Sequence, residues 1–201
     1  MKIKINNKEF IAFEGERLIE TAQRNGIEIP ALCYLPNYRH QASCMVCAVK
    51  DCETGQMVLS CATIVTEGMN IDAESDEVQE FQRQALELLL SDHIAVCSPP
   101  CNPKNCKLRQ YANSYRAKWN KYQRYSAIKE TEPKHIKGNL WFDVTKCIRC
   151  GLCVYNTKDG FTFKGRGFAM QVMLPDESAK NVDEKLWKIC PTQALYLTES
   201  L

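Results

Sequence analysis

The chain has 201 residues, 45% of them hydrophobic, a formal net charge of +2 and twelve cysteines. That length and apolar content allow one sizeable core or two small ones. Twelve cysteines could close six disulfides, but that requires an oxidising compartment. The opening MKIKINNKEF has no apolar signal stretch, and no run approaches the roughly 18 apolar residues of a membrane span. Reduced, metal-binding cysteines in the cytoplasm are therefore expected.

Residues 2–13 read as a β-hairpin. Ile3 and Ile5 alternate with Lys2 and Lys4, Asn6-Asn7 supplies the turn, and Phe10, Ile11 and Phe13 continue the second strand. Residues 16–25 read as a helix with Leu18, Ile19 and Ala22 on one face, ended by Gly26 in a left-handed conformation. Ile29-Pro30 forces an extended exit toward Cys33. Short strands are expected near Cys47–Lys50 and Met57–Val65, and strand–strand–helix followed by more strands is the order of a β-grasp domain. Ser75 is placed to cap a helix with Asp76 and Glu77 in its first turn. Val78, Phe81, Ala85 and Leu88 or Leu89 form its apolar face, and the helix delivers His93.

A proline-rich knot follows, from Cys97 to Cys106, and then a second helix. Residues 107–137 hold nine Lys or Arg against two Asp or Glu, interleaved with Tyr111, Tyr115, Trp119, Tyr122 and Tyr125. Basic plus aromatic can mean nucleic acid. Leu108, Tyr111, Tyr115 and Trp119 recur at helical spacing, however, which describes a solvated helix with an aromatic core face and a cationic side for an acidic protein partner. Residues 126–139 read as a linker. Phe161–Leu174 suggests two strands around Gly165-Arg166-Gly167, and Asn181 with Glu184 suggests a capping box for a short helix ending at Ile189.

Eleven of the twelve cysteines fall into three groups. The first is Cys33-x10-Cys44-x2-Cys47-x13-Cys61. A [2Fe–2S] cluster needs four converging thiolates, usually a close pair plus two distant ones. Zinc is the alternative, but zinc sites of this kind usually carry two close pairs. The second is His93-x3-Cys97-x3-Cys101-x4-Cys106. A lone histidine is usually only a core or exposed residue, but here His93 completes a quartet. Pro99, Pro100 and Pro103 stiffen the loop and lower the entropy of assembling it. The third is Cys147-x2-Cys150-x2-Cys153, closed by Cys190-Pro191. It resembles the start of a bacterial ferredoxin motif whose next cysteine would serve a second cluster. That position is Thr157, so a single [4Fe–4S] site is expected. Gly151 fits a turn that points backbone amides at the cluster sulfurs. Eleven cysteines and one histidine fill three four-ligand sites and leave Cys52, read as a small buried hydrophobe.

In this order the motifs resemble the N-terminal iron–sulfur region of the NADH dehydrogenase (complex I) G subunit. They resemble equally the diaphorase iron–sulfur subunit of NAD-reducing and electron-bifurcating hydrogenases. The resemblance runs from the first strands to CPTQAL, similar to the family's CPVGAL. It implies one [2Fe–2S] cluster on Cys33, Cys44, Cys47 and Cys61. It implies two [4Fe–4S] clusters, one on His93, Cys97, Cys101 and Cys106 and one on Cys147, Cys150, Cys153 and Cys190. The second motif departs from the family's C-x2-C-x5-C, with its middle ligand displaced by one residue.

The expected architecture is α+β in three units. The first is a β-grasp [2Fe–2S] ferredoxin domain over residues 1–75. The second is a helical [4Fe–4S] segment over 76–130, with one histidine and three cysteines as ligands. The third is a small C-terminal [4Fe–4S] domain over 131–201, with four cysteine ligands. No G-x-G-x-x-G marks a dinucleotide site, so the chain is not expected to take a hydride itself. A one-electron relay is expected, a separate subunit between a flavoprotein that oxidises NAD(P)H and a catalytic partner. That partner would be a hydrogenase, a formate dehydrogenase or a quinone-reducing module. A free-standing ferredoxin carrier or a zinc-binding interaction module are the alternatives.

Overall fold

A computed structural model describes residues 1–91, 93, 104–119, 121–122, 132–175 and 182–198. Strands β1 (Lys2–Ile5) and β2 (Lys8–Ile11) pair antiparallel, with Ile3 opposite Phe10. Asn6 and Asn7 hold φ values of 52° and 62°, the left-handed pair that a two-residue hairpin turn demands and asparagine tolerates. The Asn6 carboxamide oxygen also accepts from the Ala73 N–H at 2.7 Å, tying the turn to a distant loop. Phe13, expected in the second strand, lies past its end and is exposed.

Helix α1 (Leu18–Arg24) buries Leu18, Ile19 and Ala22. The Glu20 carboxylate reaches back to the Arg17 N–H at 2.9 Å, and Gly26, at φ 75°, ends the element as predicted. Strands β3 (Ala48–Asp51), β4 (Met57–Leu59) and β5 (Asn70–Asp72) complete a sheet of order β2-β1-β5-β3-β4, in which β1 and β5 run parallel and the other pairs antiparallel. Ile3, Ile5, Val49, Val65 and Ile71 close on α1 in one core. Strand β4 is shorter than expected for a reason that matters to the site. At Ser60 the backbone N–H and the hydroxyl both turn to the Cys47 carbonyl, at 3.2 and 2.8 Å, and this brings Cys61 back beside Cys47.

Helix α2 (Asp76–Ser91) starts where the Ser75 hydroxyl accepts from the Val78 N–H at 3.4 Å. It buries Val78, Gln82, Ala85, Leu86, Glu87 and Leu90, whereas Leu88 is 56% exposed. The face is rotated from the expected one because Gln82 points inward and donates to the Ala48 carbonyl at 2.8 Å. A buried amide is stable only when paired in this way.

Helix α3 (Lys107–Ser114) buries Leu108 and Ala112, with Tyr111, Tyr115 and Trp119 packed half-buried against the same core. The aromatic face is as expected, but the helix stops early. Arg116 turns left-handed at φ 51° and the Ala117 N–H returns to the Ala112 carbonyl at 2.8 Å, so Trp119 lies beyond the helix.

The segment expected as a linker contains β6 (Lys134–Lys137), which pairs with β7 (Leu140–Phe142); β7 pairs in turn with β10 (Leu195–Leu197). Strands β8 (Thr162–Lys164) and β9 (Gln171–Met173) form the expected hairpin. Gly165 there has φ 82°, and a Cβ would stand 2.4 Å from the Ala169 carbonyl oxygen, so only glycine fits. A 3-10 helix over Glu184–Ile189 is capped by Asp183, which accepts from the Lys185 N–H at 2.8 Å; Asn181 lies outside the described residues. No helix among the described residues is long and apolar enough to cross a membrane.

Candidate metal centres

Cys33, Cys44, Cys47 and Cys61 are all buried. They come from three segments: the exit after α1 (Cys33), the loop that leads into β3 (Cys44 and Cys47) and the turn after β4 (Cys61). Met45, between the close pair, has φ 59° and is exposed; this left-handed kink folds the pair around a common side. The thiols are mutual neighbours. A charge on Cys33 is stabilised first by the Cys44 thiol, then by that of Cys61, with the backbone N–H groups of Cys44 and Ser43 adding to it, and its pKa lies far below the usual thiol range. Cys61 in turn holds Cys47 down to about 7, while Cys44 and Cys61, as the donors, are pushed up. Among the described residues no three donors surround a point in the manner of a single metal ion. The thiols form a chain, Cys44 to Cys33 to Cys61 to Cys47. Four buried thiols with backbone donors aimed at them fit an iron–sulfur cluster, whose sulfurs bear the negative charge.

The third group converges more simply. Cys147, Cys150, Cys153 and Cys190 line one small cavity whose remaining walls include Phe142, Ile148, Leu152, Val172, Ile189 and Leu195. Burial pushes the Cys147 thiol up to about 12 and raises Cys150 and Cys153 as well. Cationic iron would reverse that bias, because thiolate is the ligand form. Arg149, at φ 58°, and Gly151, at φ 77°, turn the loop inward. The Arg149 N–H then donates to the Cys147 Sγ at 3.4 Å, as expected for amides that point at cluster sulfur. Helix α4 (Leu152–Tyr155) starts from Gly151 and carries Cys153.

Of the second group, His93 and Cys106 are described and both are buried; Cys97 and Cys101 lie outside the described residues. The His93 N–H donates to the Leu90 carbonyl at 3.1 Å, so the end of α2 delivers it as predicted. Cys106 immediately precedes α3.

Residues 1–76 match the family model described as a 2Fe-2S iron-sulfur cluster binding domain, and residues 140–197 match that of a 4Fe-4S single cluster domain. The NADP-reducing hydrogenase subunit HndD of Solidesulfovibrio fructosivorans is 30% identical over 97% of this chain and 36% of its own length. The NAD-reducing hydrogenase HoxS subunit gamma of Cupriavidus necator is 25% identical over 95% of this chain and 84% of its own. The chain is an iron–sulfur relative of NAD(P)-reducing hydrogenase subunits and of NADH-quinone oxidoreductase G subunits. An NAD+-reducing [NiFe]-hydrogenase crystal structure shares the fold, with TM-score 0.85 and 24% identity over 98% of this chain and 87% of that one. The iron–sulfur chain spans little of its longer relatives: 36% of HndD and 18% of one G subunit.

The first and third thiol groups of this iron–sulfur chain meet in one core, which contains Cys33, Cys44 and Cys150. A polar clasp holds their loops together. The Gln41 amide donates to the Arg149 carbonyl at 3.2 Å and its oxygen accepts from the Tyr155 hydroxyl at 2.9 Å. Arg39 and Asn156 exchange two more bonds, at 3.0 and 2.9 Å. Sequence reasoning missed this clasp, since single polar residues in loops carry no periodicity. Cys52, expected as a buried hydrophobe, is exposed instead. Desolvation, Asp72 and Asp51 raise its pKa above the usual thiol value. The pocket between β6 and β9, walled by Lys134, Lys164, Gln171 and Leu174, holds no thiol.

Proposed function

We propose that the chain is a one-electron relay of an NAD(P)H-linked oxidoreductase. One [2Fe–2S] cluster sits on Cys33, Cys44, Cys47 and Cys61. One [4Fe–4S] cluster sits on Cys147, Cys150, Cys153 and Cys190, and a second on His93, Cys97, Cys101 and Cys106. The chain divides accordingly into the β-grasp unit over 1–75, the helical unit over 76–130 and the C-terminal unit over 131–201. The observation that carries the reading is the joining of two four-thiol groups, the first fully buried and the second lining a small cavity, which share one core and are clasped through Gln41 and Asn156.

A bound iron–sulfur cluster supplies reversible one-electron chemistry. The protein sets the conditions for it. Apolar walls stand around Cys147 and Cys150, and the Arg149 N–H offsets negative charge at Cys147; hydrogen bonds to sulfur and solvent exposure are what set cluster potentials. The clasp fixes the separation of the first and third sites, so electrons pass between them without a diffusing carrier. A flavoprotein partner would divide the NAD(P)H hydride into single electrons, and a catalytic subunit would accept or supply them at the far end.

Anaerobic mixing tests this reading. The reconstituted chain with NADH alone is expected to keep its visible absorbance, and addition of a flavoprotein diaphorase subunit is expected to bleach it. Rapid bleaching by NADH without that partner would contradict the relay. In the same assay Gln41→Ala, which removes two hydrogen bonds worth roughly 1 kcal/mol each, is expected to slow reduction of the third site while leaving the first unchanged.

A further inference from the structure

Past α3 the chain runs back across α2 as a short strap that includes Ala117, Lys118, Trp119 and Lys121, and one buried carboxylate holds it there. The Glu87 side chain is fully buried, yet it faces three donors. The Arg83 guanidinium stands 2.6 Å from its Oε1, the Lys118 backbone N–H donates to the same oxygen at 3.1 Å, and the Lys121 ammonium forms an ion pair with Oε2 at 2.7 Å. Two of these donors belong to the strap. An apolar residue at this turn of α2 would fill the same space, but it would not choose which strap residue lies where. Buried ionic anchors are best attested in that role of fixing register. The register chosen here puts Trp119, next to Lys118, in an offset parallel stack on His93, with ring centroids 6.3 Å apart and planes 21° apart. His93 is 6% exposed.

We propose that Glu87 is a positioning residue for His93: it anchors the strap in the register that lays the Trp119 indole on the imidazole, giving the ring one orientation and a dry environment. The proposal rests on the reading of His93 as an iron ligand. Groups that orient a metal-bound imidazole are part of how a protein tunes the metal, and solvent exposure moves a cluster's potential.

The test is reductive titration of the anaerobically reconstituted full chain, followed by EPR. Trp119→Phe, which keeps an aromatic face, is expected to retain the midpoint and line shape of the His93-ligated cluster. Trp119→Ala and Glu87→Gln are expected to shift its midpoint upward, because water stabilises the more negative reduced form. They are also expected to broaden its lines as the ring loses a single orientation. The other two clusters should keep their potentials. Wild-type potential and line shape in both variants would overturn the proposal. If either variant fails to hold its clusters, Lys121→Gln, which leaves Glu87 in place, is read in the same way. His93→Cys separates the two failures: an unchanged second-cluster signal there removes the ligand reading and the proposal with it. A lowered potential with unmoved Trp119→Ala and Glu87→Gln removes the proposal alone.

Discussion

A Cys44→Ser chain is expected to lose the [2Fe–2S] EPR signal entirely while both [4Fe–4S] signals persist. Cys44 is 5% exposed and sits in the tight loop with Cys47, where a hydroxyl is a far poorer iron ligand than a thiolate. The third site draws its four thiols from a different stretch of chain, and its cavity has no wall from residues before Phe142. The two sites still meet at a seam. Cys33 and Cys44 pack in the core that also contains Leu152 and Leu195, whereas Cys47 and Cys61 pack with the sheet and α1. The substitution therefore tests whether the seam transmits damage. Loss of all three signals would mean that the first unit does not hold its cluster independently.

Gly151→Val is expected to abolish the signal of the Cys147/Cys150/Cys153/Cys190 cluster and to loosen the clasp. Gly151 holds φ 77° at the start of α4, and a Cβ would stand 2.9 Å from the Tyr155 ring and 3.1 Å from the Gln41 amide. A β-branched residue in that conformation costs about 1–3 kcal/mol, and here it also displaces both ends of the Gln41–Tyr155 hydrogen bond. The backbone amides on either side of Gly151 belong to Cys150 and Leu152, so the strain falls on the ligand loop itself. EPR of the reconstituted variant measures the outcome. Retention of a wild-type third-cluster signal would show that the loop tolerates the change.

Features coded by neighbouring residues were legible in the sequence. The Asn6-Asn7 turn, the Ser75 cap, the Gly26 stop and the β8–β9 hairpin all follow from local rules, and so does the spacing of the first and third thiol groups. What was not legible depends on contacts between distant residues. Gln82 turns inward only because the Ala48 carbonyl needs a donor. Strand β6 exists because β7 pairs with it; of its residues only Ile136 is buried, so no alternation announces it. Helix α3 stops at Ser114 through a left-handed Arg116, a position where glycine or asparagine would have given warning. The Gln41 clasp and the Glu87 anchor are single polar residues whose meaning lies entirely in what they meet.

The central claim, that this chain is built to carry iron–sulfur clusters and relay electrons through them, is tested most directly by metal and sulfide analysis of anaerobically purified protein. One [2Fe–2S] and two [4Fe–4S] clusters predict about ten irons and about ten acid-labile sulfides per chain, with a brown absorbance that bleaches on reduction. Stoichiometric zinc in a colourless protein would contradict the account.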